Sequence, residues 1–201
     1  MPGGGLAPVQ EETIVVSSGS AETTFQLGEI LGRAATGGEV IGLSGPLGVG
    51  KTVFVKGLAK GLGVTDSYVS SPTFILVHPH EGRLPLYHID LYRLENGREV
   101  EAIGLEEYLE GPGVAAIEWI EKGLDFLPPN RLRIDLHYKI GSSAKEYDLR
   151  EVVGGATKTH GAPNGNGDQR EIVLTASGTD YIRWIDQVKK NLPWKEASPN
   201  G

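Results

Sequence analysis

An α/β fold, with a central mostly parallel sheet that also carries antiparallel strands and has helices on both faces, is predicted by three features of this sequence. Strand-like and helix-like segments alternate along the chain. A glycine-rich loop, SGPLGVGKT at 44–52, joins an apolar strand to an apolar-periodic helix. VAAIEWI at 114–120 is a nearly continuous apolar run, as expected of a strand buried on both faces.

The elements follow in order. Residues 1–12 (MPGGGLAPVQEE) are rich in Gly and Pro and are expected to be disordered. TIVVS at 13–17 is β-branched and predicts a strand. Between 20 and 35, Phe25, Leu27, Ile30, Leu31 and Ala34 recur at helical spacing, and Gly37 and Gly38 end that helix. The strand 40–43 leads into the glycine loop, and KTVFVKGLAKGL at 51–62 is again helical, closed by Gly63. From 73 to 92, the apolar runs FILV and LPLYHID flank the polar HPHEGR, which predicts an antiparallel hairpin with Pro85 at a strand start or edge. The glutamate-rich stretch 98–109 predicts one helix. RLRIDLHY at 131–138 alternates like a half-exposed strand, and EIVLTA at 171–176 predicts another. Between them, 139–170 reads as a long flexible loop with no assigned chemistry. Tyr181, Ile182, Trp184, Ile185, Val188 and Leu192 are spaced for a C-terminal helix docked on the core, and 193–201 is a tail.

Composition limits the function classes. The chain has 201 residues, 39% hydrophobic and 22% charged, with a net charge of −7. That balance disfavours a protein whose main task is gripping nucleic acid. With no cysteine, disulfides, thiolate metal sites and cysteine nucleophiles are excluded. The N-terminus lacks the basic and apolar regions of a signal peptide, and no run approaches a membrane span, so a cytoplasmic location is expected.

The glycine loop fits G-x-x-x-x-G-K-[ST], with Gly45, Gly50, Lys51 and Thr52 at the required offsets, and it lies between a strand and a helix as a P-loop must. Glycines, including Gly48, let the backbone wrap round a phosphate. The N–H groups of Gly48, Val49, Gly50, Lys51, Thr52 and Val53 are placed to form an anion nest at a helix N-terminus. Lys51 is suited to the β- and γ-phosphates of ATP and the Thr52 hydroxyl to Mg²⁺. The fold prediction thereby narrows to a P-loop NTPase-like one.

Such a site needs an acid at the end of a neighbouring strand. Asp90 ends LPLYHID and Glu118 ends VAAIE. Each follows an apolar strand, where a carboxylate needs a partner such as a metal, and spacing alone leaves open which of the two touches it. Ser70 to Phe74 (SSPTF) lies where many P-loop NTPases hold a switch threonine, which makes Thr73 a candidate. His78, His80 and His88 read as solvated or packing residues. Strand alternation would put Trp119 on the opposite side from Glu118.

With these segments in place, the chain resembles the bacterial TsaE (YjeE) family. The matching stretches are GEVIGLSGPLGVGKTVFVKGLAKGLGV, VSSPTFILV, LYHIDLYRLE, GLEEYLE and IEWIEKG, spanning about 22–138. The resemblance implies a slow ATPase of tRNA threonylcarbamoyladenosine synthesis that acts on two partner proteins, TsaD and TsaB, and meets tRNA only through them, without a membrane. It implies that Thr52 and Glu118 are Mg²⁺ ligands, that Asp90 is the acid essential for hydrolysis, that Lys51 acts on the phosphates, and that Thr73 is the switch threonine. It also puts Thr24 near the adenine or ribose. Two departures stand out: Pro46 where the family usually has aspartate, and Ile120 where it often has proline. On this reading 13–138 is the ATPase core, and 171–192 adds a final strand and helix.

The alternative classes are a P-loop small-molecule kinase or a nucleotide-binding regulatory module. A kinase would normally add an arginine-rich lid, whereas the arginines here are scattered. A pure binding module would not need both Asp90 and Glu118.

Overall fold

The computed structural model describes residues 9–66, 76–139 and 169–192. Its elements are β1 (Glu11–Ser18), α1 (Ala21–Ala34), β2 (Val40–Ser44), α2 (Lys51–Gly61), β3 (Val77–His80), β4 (Leu86–Asp90), α3 (Gly97–Ala102), α4 (Leu105–Leu109), β5 (Val114–Glu118), β6 (Arg131–Tyr138), β7 (Arg170–Ser177) and α5 (Thr179–Asn191). Two 3₁₀ turns, Ile120–Lys122 and Leu124–Phe126, lie between β5 and β6. The strands form one sheet in the order β1-β7-β6-β2-β5-β4-β3. Its centre, β6-β2-β5-β4, is parallel, and β3 on one side and β7 and β1 on the other pair antiparallel. This is the expected α/β architecture, with helices on both faces.

Side-chain alternation divides the core in two. On one face Leu43, Leu86, Ala116 and Ile134 pack with Leu27 and Leu31 of α1, Phe54 and Leu58 of α2, and Trp184, Ile185 and Val188 of α5. On the other, Ile89 and Ile117 pack with Val100 of α3, Leu105 of α4 and Ile120. Burying each large apolar side chain contributes about 1.5–3 kcal/mol.

Helix α2 sits unusually close to α1. Gly28 and Gly32 on α1 and Gly57 and Gly61 on α2 are each four residues apart, so each pair lines one helix face. A Cβ at Gly57 would fall 1.9 Å from the Phe25 carbonyl oxygen, and one at Gly28 would fall 2.2 Å from that of Phe54. The backbones touch because there is no side chain between them. Since α2 carries Lys51 and Thr52, this contact sets the height of the phosphate loop over the sheet.

Four local expectations change. β1 begins at Glu11, inside the segment expected to be disordered, because Glu11 and Glu12 pair with Ser177 and Ala176. His78 and His80 belong to β3 and not to the turn after it. The helix expected over 98–109 is two short ones, interrupted where Gly104 takes φ 65°. Arg170, assigned to the loop, opens β7. Most of the loop, 140–168, and the tail 193–201 lie outside the described residues. Among the described residues, no helix is long and apolar enough to cross a membrane.

Candidate nucleotide and magnesium site

The site lies at the carboxyl ends of the central parallel strands, where open α/β sheets bind ligands. β2 ends in Ser44 and passes into the loop; β5 and β4 end beside it in Glu118 and Asp90, which are register partners. Side chains at 86, 88 and 90 on β4, and at 114, 116 and 118 on β5, share the α2 face of the sheet. The two carboxylates therefore reach the loop from adjacent strands. Both are almost wholly buried.

The loop has the conformation its glycines permit. Gly45, Gly48 and Gly50 have φ of 134°, 79° and 116°. At Gly45 a Cβ would also meet the Leu136 carbonyl oxygen at 2.4 Å. Gly50 precedes α2, so the first N–H groups of the helix face the loop. Val49 anchors the loop in the core, while Val53 is half-buried in the first turn of α2. Pro46 has no N–H to give, but its carbonyl accepts from Val49 N at 3.3 Å and from Lys51 Nζ at 3.1 Å, so it is built into the turn.

Lys51 is buried and donates to the Gly45 carbonyl at 2.6 Å. Its ammonium stands 3.7 Å from the centre of the Trp119 ring, a cation–π contact. Trp119 thus reaches the loop, besides packing against the cluster on the sheet's other face as strand alternation implied. The reason is its backbone: at φ 61° it leaves the strand and turns the indole back over Lys51, where it also meets the Tyr92 ring at a 44° tilt.

Burial lowers the Lys51 ammonium below its ordinary value, and the carboxylates of Glu118, Glu121 and Asp90 partly oppose that. Between this lowered value and about 10.5, the unfolded chain keeps a proton that the folded chain has released, so stability should rise with pH through that window. In Lys51→Met that increment should vanish. Denaturant midpoints of both proteins across the alkaline range measure it.

Thr52 donates its hydroxyl to Glu118, at 2.9 Å from Oε1 and 3.2 Å from Oε2. This junction of α2 and β5 puts Glu118, of the two acids, directly on the P-loop hydroxyl. Asp90 accepts the Tyr92 N–H at 2.9 Å, which ties its carboxylate to the turn after β4. A hydroxyl and carboxylates are hard oxygen donors, and Mg²⁺ is usually held by one or two carboxylates together with substrate phosphates. The residues present fit that ion and a nucleotide.

Thr24 is fully buried behind the loop. Its hydroxyl lies 2.8 Å from Ser18 Oγ and donates to the Ser20 carbonyl, and its methyl stands 3.7 Å from where a Gly50 Cβ would be. Thr73 lies outside the described residues.

Two residues that sequence reasoning passed over join the site. His88 is not a solvated or merely packing residue: it is buried, and its Nε2 lies 2.9 Å from Glu118 Oε1. A signal existed, because His88 precedes Asp90 by two and so shares its strand face. Arg170 donates from Nε to the Val49 carbonyl at 2.6 Å, bracing the loop from β7. No local pattern marks it, since the two are 121 residues apart.

The family model described as "Threonylcarbamoyl adenosine biosynthesis protein TsaE" matches residues 18–146. A relative from Nostoc sp., named tRNA threonylcarbamoyladenosine biosynthesis protein TsaE, is 49% identical over 122 residues, covering 58% of this chain and 74% of the relative. A Bacillus subtilis relative of the same name is 34% identical over 171 residues, covering 85% of this chain and 90% of the relative. A solved structure titled "Crystal structure of Bacillus subtilus YdiB" is similar with a TM-score of 0.66 at 29% identity, over 92% of this chain and 99% of that one.

Proposed function

The chain belongs to the TsaE family of threonylcarbamoyl adenosine biosynthesis proteins, and from that membership we propose that it is a magnesium-dependent ATPase of tRNA threonylcarbamoyladenosine biosynthesis. It acts in the cytoplasm on a complex of TsaD and TsaB, and meets tRNA through that complex. The observation that carries the proposal is the bond from Thr52 to Glu118, with Asp90 paired in register beside it.

In this reading each residue has a role. The loop from Gly45 to Thr52 wraps the phosphates, and its glycines keep side chains out of their path. Lys51 supplies positive charge on a stem held by packing. Thr52 and Glu118 hold Mg²⁺, whose contribution when bound is to neutralise charge on the phosphate oxygens. Asp90 orients the attacking water and draws on its proton. The family resemblance puts Thr24 near the base or ribose and makes Thr73, which lies outside the described residues, the switch threonine.

The test is ATP turnover by the purified chain, alone and with TsaD, TsaB and tRNA, beside Lys51→Ala. The proposal expects the partners to change turnover, and sustained tRNA modification to be lost in Lys51→Ala. If ATP binds but neither turnover nor modification responds to the partners, the proposed role in this pathway is wrong.

A further inference from the structure

The short contact between His88 and Glu118 has no role in the scheme above. Both side chains are almost wholly buried, on neighbouring strands β4 and β5. A carboxylate oxygen only accepts, so the hydrogen of this 2.9 Å bond is on Nε2. Nδ1 is buried with no hydrogen-bond partner among the described residues. A hydrogen there would be a second, unsatisfied buried donor, so the tautomer is Nε2–H.

The bond is also specific in direction. Glu118 Oε1 accepts from both Thr52 and His88, whereas Oε2 has only the longer Thr52 contact among the described residues. The imidazole pins one carboxylate oxygen and leaves the other with the longer Thr52 contact.

We propose that His88 is a positioning residue for the metal-binding carboxylate: its Nε2–H fixes the rotation of Glu118 so that Oε2 is presented to Mg²⁺. This rests on the reading of Glu118 as a magnesium ligand. Hydrogen-bond partners of metal-binding carboxylates are typically worth about 10–100-fold in metal affinity.

The test compares His88→Leu, which fills the space without a donor, with His88→Gln, whose amide can return the donor. The readout is calorimetric: the gain in affinity for a non-hydrolysable ATP analogue when EDTA is replaced by Mg²⁺. That gain should fall about tenfold or more in His88→Leu and stay within about threefold of wild type in His88→Gln. Binding in EDTA should be unchanged in both. An undiminished gain in His88→Leu overturns the inference, and so does a Gln variant as impaired as Leu, which would mean a packing role. If the wild-type protein itself gains nothing from Mg²⁺, the parent reading of the site falls and this inference falls with it. Should His88→Leu not fold, nitrogen-15 spectra of the wild-type protein decide. They should show the hydrogen on Nε2, with its resonance moved by the analogue plus Mg²⁺ and not by the analogue in EDTA. A hydrogen on Nδ1, or a resonance indifferent to the metal, overturns it.

Discussion

Alanine at Gly57 is expected to destabilise the protein, although alanine is the better helix former. In an open helix the exchange would gain up to about 1 kcal/mol. Here the new methyl would stand 1.9 Å from the Phe25 carbonyl oxygen and 2.8 Å from its carbon, and both atoms belong to the backbone of α1. They cannot swing aside as the end of a side chain could. α2 must move away from α1, and that opens the core shared by Leu27, Leu31, Phe54 and Leu58. Overpacking of this kind costs about 1–3 kcal/mol and sometimes more. A net loss of about 2 kcal/mol lowers the melting temperature of a chain this size by roughly 4–8 °C. Leucine at the same position should leave no folded protein. Gly19→Ala is the control: nothing lies within 4 Å of its Cβ, so its stability should change by no more than about 0.5 kcal/mol. Thermal melts of the three variants measure this, and a Gly57→Ala protein as stable as wild type would mean that the helices are not in backbone contact. The same displacement lifts Lys51 and Thr52, so nucleotide affinity should fall with stability.

This helix contact shows where sequence reading stops. Phe25, Leu27 and Leu31 mark α1 by their spacing, and Phe54, Val55 and Leu58 mark α2. The glycines on the same helices read locally as weak helix formers, and their function appears only when the second helix is in place. The strands were legible for the opposite reason: continuous apolar runs such as VAAIE need no partner to be recognised. Their order was not legible, because β1 pairs with β7 across some 160 residues and β2 lies between strands that follow it in sequence. Within the site, the loop and both carboxylates were evident from motif and strand ends. The reach of Trp119 to the loop was not, since it depends on one residue at φ 61°. Arg170 depends wholly on tertiary contact. Gly104, set between Ile103 and Leu105, broke a helix that the glutamate pattern had joined.

Replacing Asp90 with asparagine is expected to reduce ATP turnover by about 10²–10⁴-fold, the range for losing a positioned general base, while nucleotide still binds. The substitution separates charge from shape. Asparagine has nearly the same volume, and its carbonyl oxygen can still accept the Tyr92 N–H that the carboxylate accepts at 2.9 Å. The turn after β4 should survive, while the negative charge that would take up the proton is lost. Glu118→Gln makes the contrasting change one strand away. Its side chain can still reach Thr52, but it no longer offers a negative oxygen to the metal, so its defect should be a raised magnesium requirement for nucleotide binding. Calorimetric binding at several magnesium concentrations, beside turnover with TsaD, TsaB and tRNA, separates the two roles. If Asp90→Asn weakens magnesium-dependent binding and Glu118→Gln leaves it intact, the roles are exchanged, and the bond from Thr52 to Glu118 would then be a structural tie between α2 and β5. If Asp90→Asn turns over ATP at the wild-type rate, the acid serves the turn at Tyr92 and the attacking water must be oriented from elsewhere in the site.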